Sequence, residues 1–215
     1  MKKFEGIIFD IDGTLTATNK LIFESFRFIT NKYLNKNYKD HEITALFGPT
    51  EDEIIMDLFS DNYSHARKDY YEFYTNNHSQ MAHAYPGINE IIYKIKEANI
   101  PLSIYTGKGR DSSIITLKEI GLHDYFDMIV TGDDVEDHKP SPEGIEVFVD
   151  KFNLNKENTL MVGDATADIK AARNSGVKIA SVVWDSYGKE KVIEMGSDYL
   201  FHTVEEFDEF ISMRI

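Results

Sequence analysis

A short apolar run that ends abruptly in two aspartates and a glycine constrains this chain more than any other feature. Residues 7–9, Ile-Ile-Phe, have the continuous apolar character of a strand that is buried on both faces. Asp10 and Asp12 follow at once, and Gly13 ends the strand. Because side chains alternate along a strand, both carboxylates leave its end on the same side. Such close like charges raise each other's pKa unless a cation lies between them, which favours a hard ion such as Mg²⁺. A solvated turn after an edge strand is the alternative.

Composition limits the classes of protein that this chain can belong to. Its 215 residues are 42% hydrophobic and 13% aromatic, which is typical of a folded globular protein with a full core. A net charge of −14 argues against a nucleic-acid partner. The absence of cysteine excludes disulfides, zinc-thiolate sites and a thiol nucleophile. No apolar stretch is long enough to span a membrane. We therefore expect a soluble, cytoplasmic protein. A monomer and a homodimer are both left open.

The part of the chain that follows the first strand has a helical pattern. Apolar residues recur at helical spacing at Ile22, Phe26, Ile29 and Tyr33. Thr50 and Glu53 form the pattern of a capping box before another apolar stripe. Four aromatic residues lie within residues 70–74; they could line a ligand pocket, but packing between helices is the favoured interpretation. Residues 18–83 are therefore predicted to be a helical insertion.

Beyond Pro86 the pattern changes to alternating helices and strands. Strands are predicted at residues 102–105, 128–130, 160–162 and 179–183. Helices are predicted at residues 88–95, 114–120 and 169–174. Another is predicted to begin with Ser141 as its N-cap and Pro142 at its first position, and a last one follows a cap formed by Thr203 and Glu206. This alternation predicts an α/β fold with a parallel sheet covered by helices on both faces. We expect a catalytic core made of residues 1–15 and 86–215 and a helical cap made of residues 16–85.

Polar residues follow several of these strands, where ligands bind in parallel sheets. Thr106 and Gly107 come after one strand, Lys139 lies in the loop after the next, and Asp164 and Asp168 follow a third. Each has an ordinary explanation as a turn, a surface charge or a helix cap. Their occurrence at successive strand ends, together with the first aspartate pair, favours one shared site.

These motifs, in this order, resemble the four motifs of the haloacid dehalogenase superfamily. The resemblance covers essentially the whole chain, including a helical cap inserted after the first motif. Residues 46–49 (Leu-Phe-Gly-Pro) and 138–143 (His-Lys-Pro-Ser-Pro-Glu) are most similar to the phosphoglycolate phosphatase-like branch. The resemblance implies a Rossmann-like core and an enzyme that hydrolyses small-molecule phosphate monoesters with Mg²⁺ as its cofactor.

The resemblance also implies roles for the motif residues. Asp10 is expected to attack phosphorus and form an aspartyl-phosphate, which divides one difficult step into two. Asp12 is expected to protonate the leaving alcohol and later to deprotonate water. Thr106, the Gly107 N–H and Lys139 are expected to hold the phosphoryl oxygens. Because dehalogenation does not produce an alcohol, the acid at Asp12 favours phosphatase chemistry.

The expected metal ligands also come from the resemblance. They are the carboxylates of Asp10 and Asp164 and the backbone carbonyl of Asp12. Asp168 is expected to orient a metal-bound water without contacting the ion.

The related β-phosphoglucomutases are the main alternative within the superfamily. They carry a histidine at the position of Ile22 and an arginine three residues after the glycine that corresponds to Gly48, where this chain has Glu51. A carboxylate there would repel the second phosphate that a mutase must hold, so hydrolysis is favoured. Ala17 replaces an aspartate of many relatives, which affects the expected hydrogen bonds at the cap hinge.

Two alternatives come from other classes of protein. A phospho-receiver domain also forms an aspartyl-phosphate on a parallel sheet, but it has no inserted cap and its acidic pair lies upstream of the phosphorylated aspartate. The second alternative is a catalytically inactive phosphate-binding protein. However, every motif position of this chain carries a residue that can perform its catalytic role.

The cap is expected to select the substrate, through Gly48 and Glu51. We expect residues 47–53 to face the active site and to disfavour a second negative charge on the substrate. Phosphoglycolate would then require Lys20, Lys108 or another cation to reach its carboxylate. The alternative is that Glu51 and Asp52 only begin a helix, where negative charge is favourable.

Overall fold

The computed structural model describes residues 3–186 and 188–215, and these form one six-stranded sheet, a pair of two-residue strands and ten α-helices. The eight strands are β1 (Gly6–Phe9), β2 (Thr16–Ala17), β3 (His83–Ala84), β4 (Leu102–Tyr105), β5 (Met128–Val130), β6 (Thr159–Gly163), β7 (Lys178–Val182) and β8 (Tyr199–Phe201). The large sheet is parallel throughout, in the order β5-β4-β1-β6-β7-β8. The chain builds one half of the sheet and then crosses to the other side of β1, which places β1 at the point where the strand order reverses.

The central position of β1 explains why its residues are apolar without alternation. Ile7 lies opposite Leu102 on one neighbouring strand and opposite Leu160 on the other. Ile7 and Phe9 pack into the core on one face of the sheet, and Ile8 packs into the core on the opposite face. The first strand is therefore buried on both faces, as the sequence predicts.

Helices cover both faces of the sheet. The ten helices are α1 (Asn19–Leu34), α2 (Asp40–Thr44), α3 (Glu51–Phe59), α4 (Tyr63–Met81), α5 (Ile88–Glu97), α6 (Arg110–Glu119), α7 (Glu143–Phe152), α8 (Thr166–Ser175), α9 (Lys189–Met195) and α10 (Val204–Ser212). Helices α5, α6 and α10 contribute to the core on one face, and α7, α8 and α9 to the core on the other. This arrangement confirms the expected α/β fold. In the described part of the chain, no helix combines the length and the apolar character needed to cross a membrane.

Helices α1–α4 have a hydrophobic core of their own. Tyr70 and Tyr74 are fully buried in it, so the tyrosine cluster serves packing between helices, as expected. The N–H of Thr50 donates to Glu53 Oε2 at 2.6 Å, which confirms the Glu53 half of the capping box at the start of α3. The chain enters and leaves these helices through β2 and β3, which pair antiparallel. The domain boundaries at residues 16 and 85 stay a prediction.

The structure differs from the sequence prediction mainly in short elements. The predicted start of α7 is wrong by one residue, because Pro142 is the N-cap and α7 begins at Glu143. The Ser141 hydroxyl still accepts a 3.3 Å hydrogen bond from the Glu143 N–H. Strands β2, β3 and β8 and helices α2 and α9 were not predicted. Elements α2, α9 and β8 each bury a single residue, and β2 and β3 have only two residues, so none of them shows an apolar pattern in the sequence.

Candidate active site

Asp10 lies where β1 ends, in the middle of the sheet. Its N–H donates to the Val162 carbonyl of β6 at 2.9 Å, which fixes the backbone at the edge of the sheet. The carboxylate is buried; its Oδ1 lies 3.2 Å from Lys139 Nζ, and it is hydrogen-bonded to the Thr106 side chain. The end of β1 thus brings together residues from three of the predicted motifs.

Lys139 is held between carboxylates. Its Nζ lies 2.6 Å from Asp168 Oδ1 and also donates to the Tyr105 carbonyl at 3.2 Å. Burial alone would lower the pKa of Lys139, but the charges of Asp10 and Asp168 raise it above its usual value. Lys139 is therefore a fixed positive charge at neutral pH.

Three carboxylates surround this position. One oxygen from each of Asp10, Asp164 and Asp168 lies within 4.8 Å of the others. Burial raises the pKa of Asp164 well above its usual value, and the charges of Asp10 and Asp168 add to the effect. Burial also raises the pKa of Asp10, although Lys139 opposes it. The single positive charge of Lys139 does not balance three carboxylates, so the oxygen-only donor set fits a hard divalent cation such as Mg²⁺.

Asp168 differs from the other two carboxylates because both its oxygens accept hydrogen bonds. Oδ1 accepts from Lys139, and Oδ2 accepts from the Ala165 N–H at 3.0 Å at the start of α8. The side chain thus orients the lysine and caps the helix, which agrees with an indirect role.

Gly13 explains why a glycine follows the aspartate pair. Its φ is +76°, and a Cβ at this position would lie 2.3 Å from Asp164 Oδ2. Only glycine combines this left-handed backbone with so close an approach. The first and last motifs are therefore in direct contact.

Asp12 turns toward the cap. Its Oδ1 accepts a hydrogen bond from the Thr18 hydroxyl, and its Oδ2 lies 3.1 Å from Lys108 Nζ. Burial raises the pKa of Asp12, an effect that Lys108 and Thr18 oppose. Thr18 precedes the first cap helix, so its hydroxyl makes the contact at the hinge that Ala17 cannot make.

A cavity of about 330 Å³ lies between these residues and the cap. Its core side is mostly polar and is formed by Asp10, Asp12, Thr106, Gly107, Lys108, Lys139, Ala165 and Ala167. Its cap side is mostly apolar and is formed by Ile22, Phe26, Phe47, Gly48, Pro49, Glu51 and Ile54. Asp164 and Asp168 are not part of the lining but adjoin it through Asp10 and Lys139. Lys20 is exposed and does not line the cavity.

Glu51 and Asp52 point in different directions. Asp52 contacts Arg67 and Tyr71 within the cap. Glu51 lines the cavity, but its carboxylate is buried and accepts hydrogen bonds from the Gly109 N–H and the Ser112 hydroxyl, both at 2.6 Å. The expectation that Glu51 repels a substrate charge therefore has to be revised, because its own charge is engaged by core groups.

Two groups that contact Asp12, the side chains of Lys108 and Thr18, were not predicted from the sequence to lie in the site. Lys108 is only 6% exposed and lies two residues after Thr106, whereas Thr18 is a hydroxyl at a helix start shortly after the first motif. Both are polar residues adjacent to motifs, which is the signal that could have identified them.

Comparison with known proteins agrees with this geometry. A family model described as haloacid dehalogenase-like hydrolase matches residues 7–182. Pyrophosphatase PpaX of Bacillus mycoides is 31% identical over 198 residues, covering 92% of each chain. A candidate β-phosphoglucomutase from Thermotoga maritima superposes with a TM-score of 0.78 at 26% identity, covering 98% of this chain and 100% of that one. A predicted phosphoglycolate phosphatase from Haemophilus somnus has a TM-score of 0.85 at 20% identity, with 99% of each chain covered, and shows the same fold.

Proposed function

This chain belongs to the haloacid dehalogenase-like hydrolase family and is a phosphatase, and we propose that it hydrolyses a small-molecule phosphate monoester through an aspartyl-phosphate on Asp10, with Mg²⁺ as cofactor. The environment of Asp10 carries this proposal. A buried carboxylate lies at the end of the central strand, 3.2 Å from the Lys139 ammonium, and faces a cavity of about 330 Å³. A nucleophile, a positive charge for phosphoryl oxygens and space for a small substrate thus coincide.

In the first step, a carboxylate oxygen of Asp10 forms a bond to phosphorus while the bond from phosphorus to the leaving oxygen breaks. The Asp12 carboxyl group gives its proton to that oxygen, so a neutral alcohol leaves and Asp12 becomes a carboxylate. Burial raises the pKa of Asp12, which favours the protonated form that this step requires.

In the second step, water attacks the phosphorus of the aspartyl-phosphate and gives one proton to the Asp12 carboxylate. The bond from phosphorus to Asp10 breaks and inorganic phosphate leaves. Both aspartates return to their starting forms, so no other reactant is needed.

Three groups at strand ends are suited to hold the phosphoryl oxygens during both steps. Thr106 and Gly107 line the cavity directly after β4, and Lys139 approaches from the loop after β5. A charge held in place before the reaction stabilises developing negative charge without reorganisation. Asp168 supports this by fixing Lys139 at 2.6 Å.

The carboxylates of Asp10 and Asp164 and the backbone carbonyl of Asp12 would hold the metal ion. When bound, Mg²⁺ supplies positive charge that neutralises these carboxylates and the phosphoryl oxygens. We assign Asp168 a role outside the set of ligands: its oxygens accept hydrogen bonds from Lys139 and from the Ala165 N–H, so it would orient Lys139 beside the metal site.

The cap side of the cavity favours a leaving group without a second negative charge. Its side chains are apolar except Glu51, and Lys108 is already paired with Asp12 and Glu51. Pyrophosphate is the second candidate, because the relatives at about 31% identity are named pyrophosphatase PpaX. Its leaving group is a phosphate and would have to compete for Lys108, as would the carboxylate of phosphoglycolate.

A phosphoglucomutase-like reaction has less support. Ile22 and Glu51 replace the histidine and arginine expected in a mutase, and both line the cavity. The apolar side chain and the paired carboxylate offer no positive charge to a second phosphate. A bisphosphate intermediate would therefore be held poorly.

The test is hydrolysis of p-nitrophenyl phosphate with and without Mg²⁺, followed by a panel of sugar phosphates, phosphoglycolate and pyrophosphate. We expect Mg²⁺-dependent turnover by the wild type, none by Asp10→Asn, and a loss of roughly 10²–10⁴-fold for Asp12→Ala with unactivated esters. Asp61→Asn, an exposed aspartate in the cap, is the matched control and should keep full activity.

The covalent intermediate can be identified directly. Borohydride reduction during turnover should convert residue 10 to homoserine in the wild type, detected by peptide mass. Turnover by Asp10→Asn, or full activity in excess chelator, would contradict the mechanism. Labelling of Asp10 without any turnover would instead indicate a receiver domain. The absence of both labelling and turnover would indicate an inactive binding protein.

A further inference from the structure

Glu51 belongs to the cap but binds the core. It is the first residue of α3, and its carboxylate reaches the N-terminus of α6, where it accepts hydrogen bonds from the Gly109 N–H and the Ser112 hydroxyl. It also lies 3.2 Å from Lys108 Nζ. Exposed N–H groups and the helix dipole both favour a carboxylate at this place. Glu51 therefore docks the cap on the loop that carries the phosphate-binding Thr106.

Lys108 connects that docking contact to the active site. Its Nζ lies 3.2 Å from Glu51 Oε1 and 3.1 Å from Asp12 Oδ2, and the ammonium lies 5.1 Å from the centre of the Tyr74 ring. The residue is 6% exposed, so water does not compete freely for its protons. A buried ammonium held by a cap carboxylate on one side can fix the direction of Asp12 on the other.

Both oxygens of Asp12 are then held by groups whose positions depend on the cap. Oδ2 contacts Lys108, and Oδ1 accepts from Thr18, which immediately precedes the first cap helix. Each carboxylate oxygen has a second lone-pair site, so a leaving-group oxygen can still approach.

We propose that Glu51 and Lys108 are positioning residues for leaving-group protonation: docking of α3 on the start of α6 fixes Lys108, and Lys108 fixes the Asp12 carboxyl group. This inference rests on the proposed function, because it assigns an orienting contact to its general acid. It gives the cap a role in the proton transfer itself, in addition to enclosing the substrate.

The dependence of rate on the leaving group distinguishes this role from a purely structural ion pair. An activated ester such as p-nitrophenyl phosphate needs little protonation of its leaving oxygen, whereas an alkyl phosphate needs a full proton transfer. Loss of Asp12 orientation should therefore harm poor leaving groups selectively. Loosening of the cap or partial unfolding should reduce the rates of all substrates by a similar factor.

The experiment measures kcat/KM for p-nitrophenyl phosphate, phenyl phosphate and an alkyl monophosphate with wild type, Lys108→Met and Glu51→Gln. We expect both variants to lose at least about 10-fold more activity with the alkyl ester than with the p-nitrophenyl ester. Asp12→Ala should show the same preference, and its loss of activity, roughly 10²–10⁴-fold, sets the upper limit for both variants. Lys108→Arg, which keeps the charge, should restore part of the difference.

Asp111→Asn is the matched control. Asp111 also joins the core to the cap, through a 2.5 Å contact with Arg67 Nη2, but it is not hydrogen-bonded to Lys108 or Asp12. Its loss should change kcat/KM for all three substrates by the same factor. If Lys108→Met does not fold, Ser112→Ala weakens the Glu51 contact without removing a charge and should show the same selectivity to a smaller degree.

The results separate the two proposals. A wild type that hydrolyses all three esters, with variants that lose the same factor on each, overturns the positioning role and leaves the phosphatase intact. A wild type that is inactive on every phosphate with Mg²⁺ overturns the proposed function and this inference together. A selective loss in Asp111→Asn equal to that in Lys108→Met would also overturn the inference.

Discussion

At the scale of single residues, Gly13 links the beginning and the end of the catalytic motifs. A methyl group there would require a left-handed alanine and would overlap Asp164 Oδ2 at 2.3 Å. We expect Gly13→Ala to lower the free energy of unfolding by about 1–3 kcal/mol, from backbone strain alone. Since the overlap would also displace Asp164, which we propose as a metal ligand, the variant should need a higher Mg²⁺ concentration for half-maximal activity.

Urea unfolding and a Mg²⁺ titration of turnover check this prediction. Gly188→Ala is the matched control, because Gly188 has a φ of −98° and a Cβ there would meet nothing within 4 Å. If Gly13→Ala and Gly188→Ala have the same stability and the same Mg²⁺ requirement, the close contact between Gly13 and Asp164 contributes neither to folding nor to metal binding.

The same scale shows which site residues a sequence can predict. Asp10, Thr106 and Asp164 directly follow strands of one parallel sheet, so a single rule on strand ends brings them together. Lys108 and Glu51 follow no such rule. Their contact depends on how the inserted helices lie over the sheet, and it joins residues 57 positions apart in the sequence, which no local pattern can indicate.

At the scale of elements, Glu51 serves two helices at once. It begins α3, as its sequence context predicts, and it also caps the start of α6. Burial works to raise the pKa of Glu51, but Lys108, Ser112 and the Gly109 N–H together lower it below its ordinary value of 4.5. The charged form is thus the one that stabilises the folded chain.

Glu51→Gln should therefore destabilise the protein in a pH-dependent way. Removal of one partner of a buried ion pair costs about 3 kcal/mol, and we expect a loss of this order at pH 7. Because the pKa is lower in the folded than in the unfolded chain, the advantage of the wild type is complete above about pH 5. It should shrink as the pH falls below 4.5.

Urea unfolding of both proteins at pH 7, 5 and 4 measures this difference. A gap between wild type and Glu51→Gln that stays constant over the whole series, or that widens on acidification, would show that Glu51 is not a buried anion paired with Lys108. Glu24→Gln, at the exposed side of α1, should show only a small difference that does not follow this pattern.

The long elements are predictable because the spacing of their apolar residues matches the face that each element packs against the core. The isoleucine stripe of α5 is fully buried against the sheet, so its spacing in the sequence is the spacing of a packed helix face. Strand β8 has three residues, of which one is buried, and β2 and β3 have two each. These strands form through pairing with neighbours that are distant in sequence, so their own residues do not specify them.

At the scale of the whole molecule, the fold collects negative charge around one small region. The chain carries a net charge of −14, and three carboxylates lie together near the end of β1, where the strand order of the sheet reverses. Binding of an anionic ester to such a protein requires a local reversal of the electrostatic field. Lys139 supplies part of that reversal, and we expect a bound cation to supply the remainder.

The last prediction follows from this balance and needs no substrate. Without metal, burial and then the repulsion by Asp10 and Asp168 raise the pKa of Asp164 well above its usual value, so its charged form opposes folding at neutral pH. Asp164→Asn should therefore be more stable than the wild type in EDTA. Mg²⁺ at about 100 times its dissociation constant should stabilise the wild type by about 2.7 kcal/mol, a rise in Tm of about 5–10 °C, and should hardly change the variant.

The Tm of Asp164→Asn should thus be higher than that of the wild type in EDTA and lower than it in Mg²⁺. Differential scanning fluorimetry can measure both values. Ca²⁺ should also stabilise the wild type, since its oxygen chemistry is similar, but it should inhibit turnover because its looser coordination disturbs the in-line geometry. Asp61→Asn should behave like the wild type in every condition, because its exposed side chain is not one of the three clustered carboxylates. A wild type whose Tm does not respond to Mg²⁺, or an Asp164→Asn variant that gains as much as the wild type, would refute the metal site at the end of β1.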